Sequence, residues 1–190
     1  MKLLLHACCA PCSVYCVDTL RNEGIEPTLF WYNPNIHPYM EYRSRRECLV
    51  LYASMMGLEC IIDDYYGLDE FCSNVVGNLN SRCSLYCYPV RLRRLFEYAR
   101  DNGYDTVSST LLYSIYQNHG VIKKLMEDLS SEFGISFLYR DFRVGFREGQ
   151  AKARELGLYM QKYCGCVFSE EDRYMSKIEK DRKKYGVVKF

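Results

Sequence analysis

The sequence predicts an α/β fold, a parallel sheet of about five strands flanked by helices, Rossmann-like in architecture. Two observations carry the prediction. Short apolar runs recur along the chain, most of them bounded by Gly, Asn, Asp or Pro, and amphipathic stretches of helical period separate them. Strands that alternate with helices need crossover connections, which pair the strands in parallel and cover both faces of the sheet. At 190 residues, with no internal repeat, low-complexity tract or linker, the expectation is one domain over 1–190.

The elements follow in order. Leu3-Leu4-Leu5 reads as a buried strand ending at His6-Ala7. Pro11 suits the first turn of a helix, where its missing N–H is no loss, and a helical pattern runs from Val14 to Arg21 until Asn22-Glu23-Gly24 stops it. Residues 27–32 read as a second strand, closed by the two-proline loop 33–38. A long amphipathic helix spans Tyr39 to Met56, ended by Gly57, and 58–63 is a third strand. Residues 65–76 read as a helix, 77–81 as a loop, and 82–88 lead into a helix from Val90 to Arg100. A fourth strand at 105–109, a helix over 114–133 ended by Gly134, and a fifth strand at 135–139 complete the sheet. A helix over 145–156 stops at Gly157, Cys164-Gly165-Cys166 lies in a loop, and Ser169 is placed to N-cap a last, charged helix to about Lys184.

Cys8 and Cys9 thus sit where a strand ends and a helix begins, the edge at which open parallel sheets bind ligands. The partial positive charge of a helix N-terminus also favours thiolate there. The eleven cysteines are an odd number, and the apolar run before His6 is too short for a secretory signal, so a disulfide framework is not expected. No stretch approaches the length of a membrane span. The expectation is a cytoplasmic protein with no membrane partner, whose cysteines stay reduced or hold metal. A net charge of +1 excludes a generally sticky nucleic-acid binder but not a local basic face. Some of the eighteen tyrosines are available to stack on bases.

Three cysteine groups stand out: Cys8 and Cys9 with Cys12, Cys83 with Cys87, and Cys164 with Cys166. Loops that follow parallel strands gather at one edge of the sheet, where the groups can meet. Converging thiolates repel one another, and zinc or an iron–sulfur cluster relieves the repulsion. Cys16, Cys48, Cys60 and Cys72 read as packing residues, and Cys12 stays open between ligand and packing. A disulfide across Cys164-Gly165-Cys166 closes a very small ring, strained and easily reduced. A redox pair is the favoured reading, with two further metal ligands or a plain turn as the alternatives.

Taken together, HACCAPC (His6 to Cys12), YNPNIHP (Tyr32 to Pro38), Arg82-Cys83 with Cys87-Tyr88 and Arg91-Leu92, SSTLL (Ser108 to Leu112) and YCGC (Tyr163 to Cys166) resemble the QueH-type epoxyqueuosine reductases over nearly the whole chain. Many members of that family place two residues between the middle cysteines, and this chain places three. The resemblance implies a HUP-type nucleotide-binding architecture. It also implies the last step of queuosine biosynthesis on the wobble nucleoside of tRNA, in which the epoxide of epoxyqueuosine is reduced to the cyclopentene without cobalamin. A [4Fe-4S] cluster is implied, matched to Cys8, Cys9, Cys83 and Cys87, with room for a second iron or other metal ion.

Removing an epoxide oxygen takes two electrons, two protons and a Lewis acid for the developing alkoxide. An unidentified low-potential donor has to supply the electrons, in part through Cys164 and Cys166. Tyr32, His37, Tyr113 and Asp141, near strand ends, are the candidate proton donors. Phosphate contacts are expected from Arg43, Arg45, Arg46, Arg91, Arg93, Arg94 and the lysines and arginine of the last helix, Lys177, Lys180, Arg182, Lys183 and Lys184. Asn33 and Asn35 either bond the flipped base or cap the next helix. Three other readings compete: a structural zinc protein that binds RNA, a thiol-disulfide oxidoreductase using Cys164 and Cys166 alone, and an ATP-dependent tRNA-thiolating enzyme. The last needs a Gly-rich phosphate loop where the chain has Cys8-Cys9-Ala10-Pro11.

Overall fold

A computed structural model describes residues 1–185. Five parallel strands stand in the order β3-β2-β1-β4-β5: β1 (Leu3–His6), β2 (Thr28–Trp31), β3 (Cys60–Ile62), β4 (Thr106–Ser109) and β5 (Ser136–Phe137). Seven α-helices connect and flank them: α1 (Ala10–Asn22), α2 (Tyr39–Met56), α3 (Leu68–Val75), α4 (Tyr88–Asp101), α5 (His119–Phe133), α6 (Phe146–Glu155) and α7 (Val167–Tyr185). The predicted α/β class, strand number and parallel pairing are all present.

The middle of the sheet explains its own sequence. A central parallel strand is covered on both faces, so it reads as an unbroken apolar run rather than an alternating one. Leu3, Leu4 and Leu5 are all but fully buried, each contributing about 1.5–3 kcal/mol by leaving water. β1 pairs β2 on one side, Leu5 opposite Leu29, and β4 on the other, Leu5 opposite Ser108. The chain leaves β1 toward β2 and β3, then crosses back to β4. The ends of β1 and β4 are therefore the topological switch point, where a crevice opens.

Several elements differ from the sequence reading. The helix expected over 114–133 starts at His119, because the Asn118 side chain accepts from Val121 N and caps it there. A 3-10 turn, Thr110–Leu112, precedes it. The fifth strand shrinks to two residues at the sheet edge, where a single neighbour, β4, supports it. Cys83–Cys87, read from the sequence only as leading into a helix, forms one π-type turn that runs straight into α4. Ser169 does not begin the last helix, which starts at Val167; its hydroxyl accepts from Gly165 N at 3.1 Å and donates to Cys166 O at 2.7 Å.

Most of the core is one apolar cluster running from Leu3 to Leu158, with Trp31, Phe30, Tyr52 and Phe96 inside it. A smaller one joins Phe71, Val75, Tyr86, Cys87 and Cys166. It binds the start of α7 to α3 and the π-type turn.

Helices α1 and α6 pack closely because α6 presents glycine to α1. A Cβ at Gly149 would stand 2.6 Å from the Tyr113 hydroxyl and 2.9 Å from the Tyr15 Cβ. Gly149→Ala is therefore expected to lower stability by about 1–3 kcal/mol through overpacking. Gly120→Ala, with only Asn118 Oδ1 nearby at 3.9 Å, should leave it unchanged or slightly raised. Thermal melts of the two variants check this, and an equal effect would refute the packing account.

Candidate active site

The turn after β1 sets the site. His6, last residue of β1, is fully buried. Its Nε2 lies 3.3 Å from the Tyr32 carbonyl, which can only accept, so Nε2 carries the proton. Nδ1, 3.1 Å from the Ser109 hydroxyl, is then the acceptor, and Ser109 Oγ itself accepts from Leu111 N at 3.2 Å. Burial, aided by the charge of Arg91, lowers the His6 pKa to about 4 and keeps the ring neutral. One imidazole thus ties together the ends of β1, β2 and β4. Asn33 Nδ2 donates to the Ala7 carbonyl at 3.0 Å and fixes the next residue as well.

Cys9 is the N-cap residue of α1, in extended backbone, and Pro11 lies in the first turn. This places the Cys8, Cys9 and Cys12 sulfurs within 4.8 Å of one another. The Cys8 and Cys9 sulfurs are 3.8 Å apart. Thr110, just past β4, accepts from Cys8 N at 3.1 Å and donates to its sulfur at 3.5 Å. Gln161 Nε2 donates to the Cys9 sulfur at 2.9 Å and the Cys12 sulfur at 3.5 Å. Hydrogen bonds from Cys12 and Cys9 hold the Cys8 thiol well below its ordinary pKa. Burial raises that of Cys9, and the bond to Cys8 raises that of Cys12. Ionisation among the three sulfurs thus favours Cys8 over Cys9 and Cys12.

Cys83 and Cys87 are not in that group; they form a pair of their own one turn apart. The bond from Cys87, then the charges of Arg91 and Arg82, lower the Cys83 pKa to about 6, and the same bond raises that of Cys87. Arg91 is almost wholly buried, bonds the Cys87 carbonyl at 2.6 Å, and has no carboxylate partner among the described residues. Its charge acts on His6, Cys83, Cys87 and Cys164.

All eleven cysteines are free thiols. Cys164 and Cys166 face different surroundings. Cys164 is exposed and accepts from Gln117 Nε2 at 3.2 Å, whereas Cys166 is buried in the small cluster beside Cys87. Their loop is firmly held. Arg45, buried and paired with Glu41 at 2.7 Å, donates to the carbonyls of Cys164 at 2.8 Å and Tyr163 at 2.9 Å. His37 N donates to Gly165 O at 2.7 Å, and Tyr163 OH to His37 O at 2.7 Å.

A cleft of about 1120 Å³ opens over these groups. Cys8, Cys12 and Cys164 line it, together with Arg45, Tyr116, Gln117, Phe146, Arg147, Gln150, Arg154, Gln161, Lys162 and Arg173.

None of the expected proton donors is among the residues lining the cleft. His37 packs its ring between Phe71 and Tyr66, with both nitrogens unpartnered and its pKa lowered to about 4 by burial. It holds the Cys164 loop by its backbone only. Tyr32 stacks on Tyr65, and burial raises its pKa to about 12. Asp141 caps a 3-10 turn and pairs with Arg143 at 2.6 Å, which lowers its carboxyl to about 2 and leaves it ionised at neutral pH. Tyr113 is fully buried, its hydroxyl donating to Phe146 O at 2.8 Å. Asn33 and Asn35 are buried and cap no helix, since Pro38 precedes α2. Of the expected phosphate contacts, Arg43, Arg46, Arg93 and Arg94 are tied up in ion pairs, and Arg45 and Arg91 are buried. The sequence reading missed Gln161 and the cations of the cleft, which no motif marks. Thr110 falls within SSTLL, but the sequence reading gave it no role.

The Cys83 pKa has a direct consequence. In metal-free protein, iodoacetamide modification of Cys83, followed by mass spectrometry, should rise with pH around a midpoint of about 6. Cys87→Ala should move the midpoint up toward the ordinary thiol value of about 8.5. A midpoint unmoved by the substitution would mean that the arginines alone set it.

Comparison with known proteins agrees with the site. The chain is 39% identical to an epoxyqueuosine reductase QueH of Dehalococcoides mccartyi over 91% of this chain and 94% of that one. It is 34% identical to that of Acinetobacter baylyi (98% and 89%) and 32% to that of Thermotoga maritima (96% and 97%). A solved structure, a predicted subunit of tRNA methyltransferase from Methanocaldococcus jannaschii, shares the fold at a TM-score of 0.52 and 12% identity, covering 96% of this chain and 89% of its own. The family model described as epoxyqueuosine reductase QueH matches residues 3–172, and the chain belongs to that family.

Proposed function

We propose that the chain, as one domain over 1–190, reduces the epoxide of epoxyqueuosine in tRNA to the alkene of queuosine, a reaction that belongs in the cytoplasm. Family membership supports the activity, and the sulfur-lined cleft supports the chemistry. No helix among the described residues is long and apolar enough to cross a membrane.

The observation that carries the cofactor reading is a pair of unmet electrostatic needs. Three crowded sulfurs need a cation, and buried Arg91, with no carboxylate partner among the described residues, needs the negative charge of thiolates beside it. A thiolate-bound iron–sulfur cluster, cationic at its irons and anionic as a whole, meets both, and zinc bound by several thiolates meets them less specifically. We assign [4Fe-4S] binding to Cys8, Cys9, Cys83 and Cys87, the positions the family resemblance matches. Cys12 is left for a second iron or other metal ion. When bound, the cluster supplies single electrons and Lewis acidity.

The chain's own groups do the rest. Gln161 and Thr110 bond the sulfurs. The cleft is large enough to admit a nucleoside, and Phe146 and Leu111 give its wall an apolar patch. Reduction breaks both C–O bonds of the epoxide, forms C=C and releases water, at a cost of two electrons and two protons. Oxidation of the thiols of Cys164 and Cys166 to a disulfide releases two electrons and two protons, so the pair balances the reaction. A low-potential donor then reduces the disulfide.

Anaerobic purification with iron, sulfide and zinc analysis tests this. About four irons and four sulfides per chain are expected, lost in Cys9→Ala and kept in Cys12→Ala. Zinc alone would overturn the reductase in favour of a structural role. Cys166→Ser should retain iron but stop turnover driven by a dithiol donor. Loss of iron in that variant would instead make the residue a ligand.

A further inference from the structure

Net charge conceals how positive charge is distributed in this protein. The chain carries +1 overall, and its arginines are mostly neutralised: Arg21, Arg43, Arg45, Arg46, Arg82, Arg93, Arg94, Arg100, Arg140 and Arg143 each sit in an ion pair. The cleft gathers four cations that are not so paired. Arg147, Arg154, Lys162 and Arg173 all line it, all are exposed, and none has an acidic partner among the described residues. The single acid of the lining, Asp172, is itself neutralised by Arg82 at 2.6 Å. Four uncompensated cations therefore surround the opening above Cys8, Cys12 and Cys164.

The cations come from separate places in the fold: α6, the loop before Cys164, and α7. Arg147 and Arg154 alone stand seven residues, about 10.5 Å, apart along α6. One phosphate cannot satisfy such a set, whereas a sugar–phosphate backbone can. Beside them Tyr116 is 81% exposed, with its ring edge-on to Phe146 at 5.8 Å. An aromatic ring held in water next to unpaired cations is the arrangement that grips single-stranded nucleic acid, by stacking plus phosphate contact. The amides of Gln117, Gln150 and Gln161 offer hydrogen bonds to base edges in the same cleft.

We propose that Arg147, Arg154, Lys162 and Arg173 form a phosphate clamp and Tyr116 a base-stacking platform, which together seat the single-stranded loop of the tRNA over the cysteine site. The inference rests on the function proposed above. It replaces the ion-paired arginines of α2 and α4 as the RNA contacts.

Fluorescence anisotropy of a labelled tRNA anticodon stem-loop, titrated with holoprotein over a series of salt concentrations, provides the test. Each Arg→Gln or Lys→Gln substitution in the clamp should weaken binding roughly tenfold and reduce the slope of log affinity against log salt by about 0.7. Tyr116→Ala should weaken binding at an unchanged slope, because stacking releases no counterion. Arg93→Gln, in which an ion-paired arginine of α4 is lost, should change neither. Wild-type binding that all four clamp substitutions leave intact would overturn the clamp while sparing the reductase. Absence of wild-type binding to the stem-loop and to whole tRNA would overturn both.

Discussion

Three sulfurs confined to one buried turn are the constraint on which the rest depends. Cys8, Cys9 and Cys12 stand within 4.8 Å of one another in the main core. Thiols this close in a low-dielectric site cannot all ionise. They share one charge through hydrogen bonds or take up metal. The fold is arranged to keep them in that state. Parallel pairing with β2 and β4 puts β1 in the middle of the sheet, so its end opens at the switch point. His6 pins three strand ends from below, Thr110 reaches across from β4, and Gln161 closes from the far side. Removing the His6 ring would leave the Tyr32 carbonyl and the Ser109 hydroxyl without their partner, a cost of about 1–3 kcal/mol per buried group.

Charge is sorted with comparable economy. Most arginines of α2 and α4 are neutralised by acids of the same helices, of the segment after β3 and of α5, which leaves those faces electrostatically quiet. Buried Arg91 and the four cleft cations have no acidic partner among the described residues, and they lie at the sulfur site or around its opening. Long-range attraction of an anionic partner depends on such local fields rather than on net charge. A chain of +1 overall can therefore still present a local positive field to an anionic partner. Glycine takes part, since Gly149 lets α6 approach α1 closely and so brings Arg147, Gln150 and Arg154 over Cys12.

Legibility in the sequence followed the range of the interaction involved. The boundaries of α2 were readable to the residue, because Pro38 precedes it and Gly57, at φ 64°, ends it. Leu3-Leu4-Leu5 announced a central strand by lacking alternation. The late start of α5 was also local, set by Asn118, but the apolar period upstream masked it. The π-type turn at Cys83–Cys87 was not readable, since five residues carry no period that separates a wide turn from a loop. That turn also accommodates the third residue between the two cysteines. The grouping of Cys8 and Cys9 with Cys12, and of Cys83 with Cys87, was readable from spacing, but the different surroundings of Cys164 and Cys166 were not. Ion pairing was least legible: Arg93 and Arg147 look alike in a string, and Glu132, thirty-nine positions away, neutralises only the first.

The loop carrying Cys164 and Cys166 illustrates what a buried ion pair can do besides stabilise. Replacing a pair such as Arg45 and Glu41 by apolar side chains often leaves stability unchanged or raises it. Here the guanidinium does more than meet its carboxylate, because its other two nitrogens hold the carbonyls of Tyr163 and Cys164. Glu41 in turn accepts from Tyr159 OH at 2.5 Å. No apolar substitute reproduces those contacts, and a loop released from them would no longer present one sulfur to the cleft and the other to the cluster around Cys87. The burial of Arg45 is thus better explained by the fixed position it gives to two backbone carbonyls than by any gain in folding free energy.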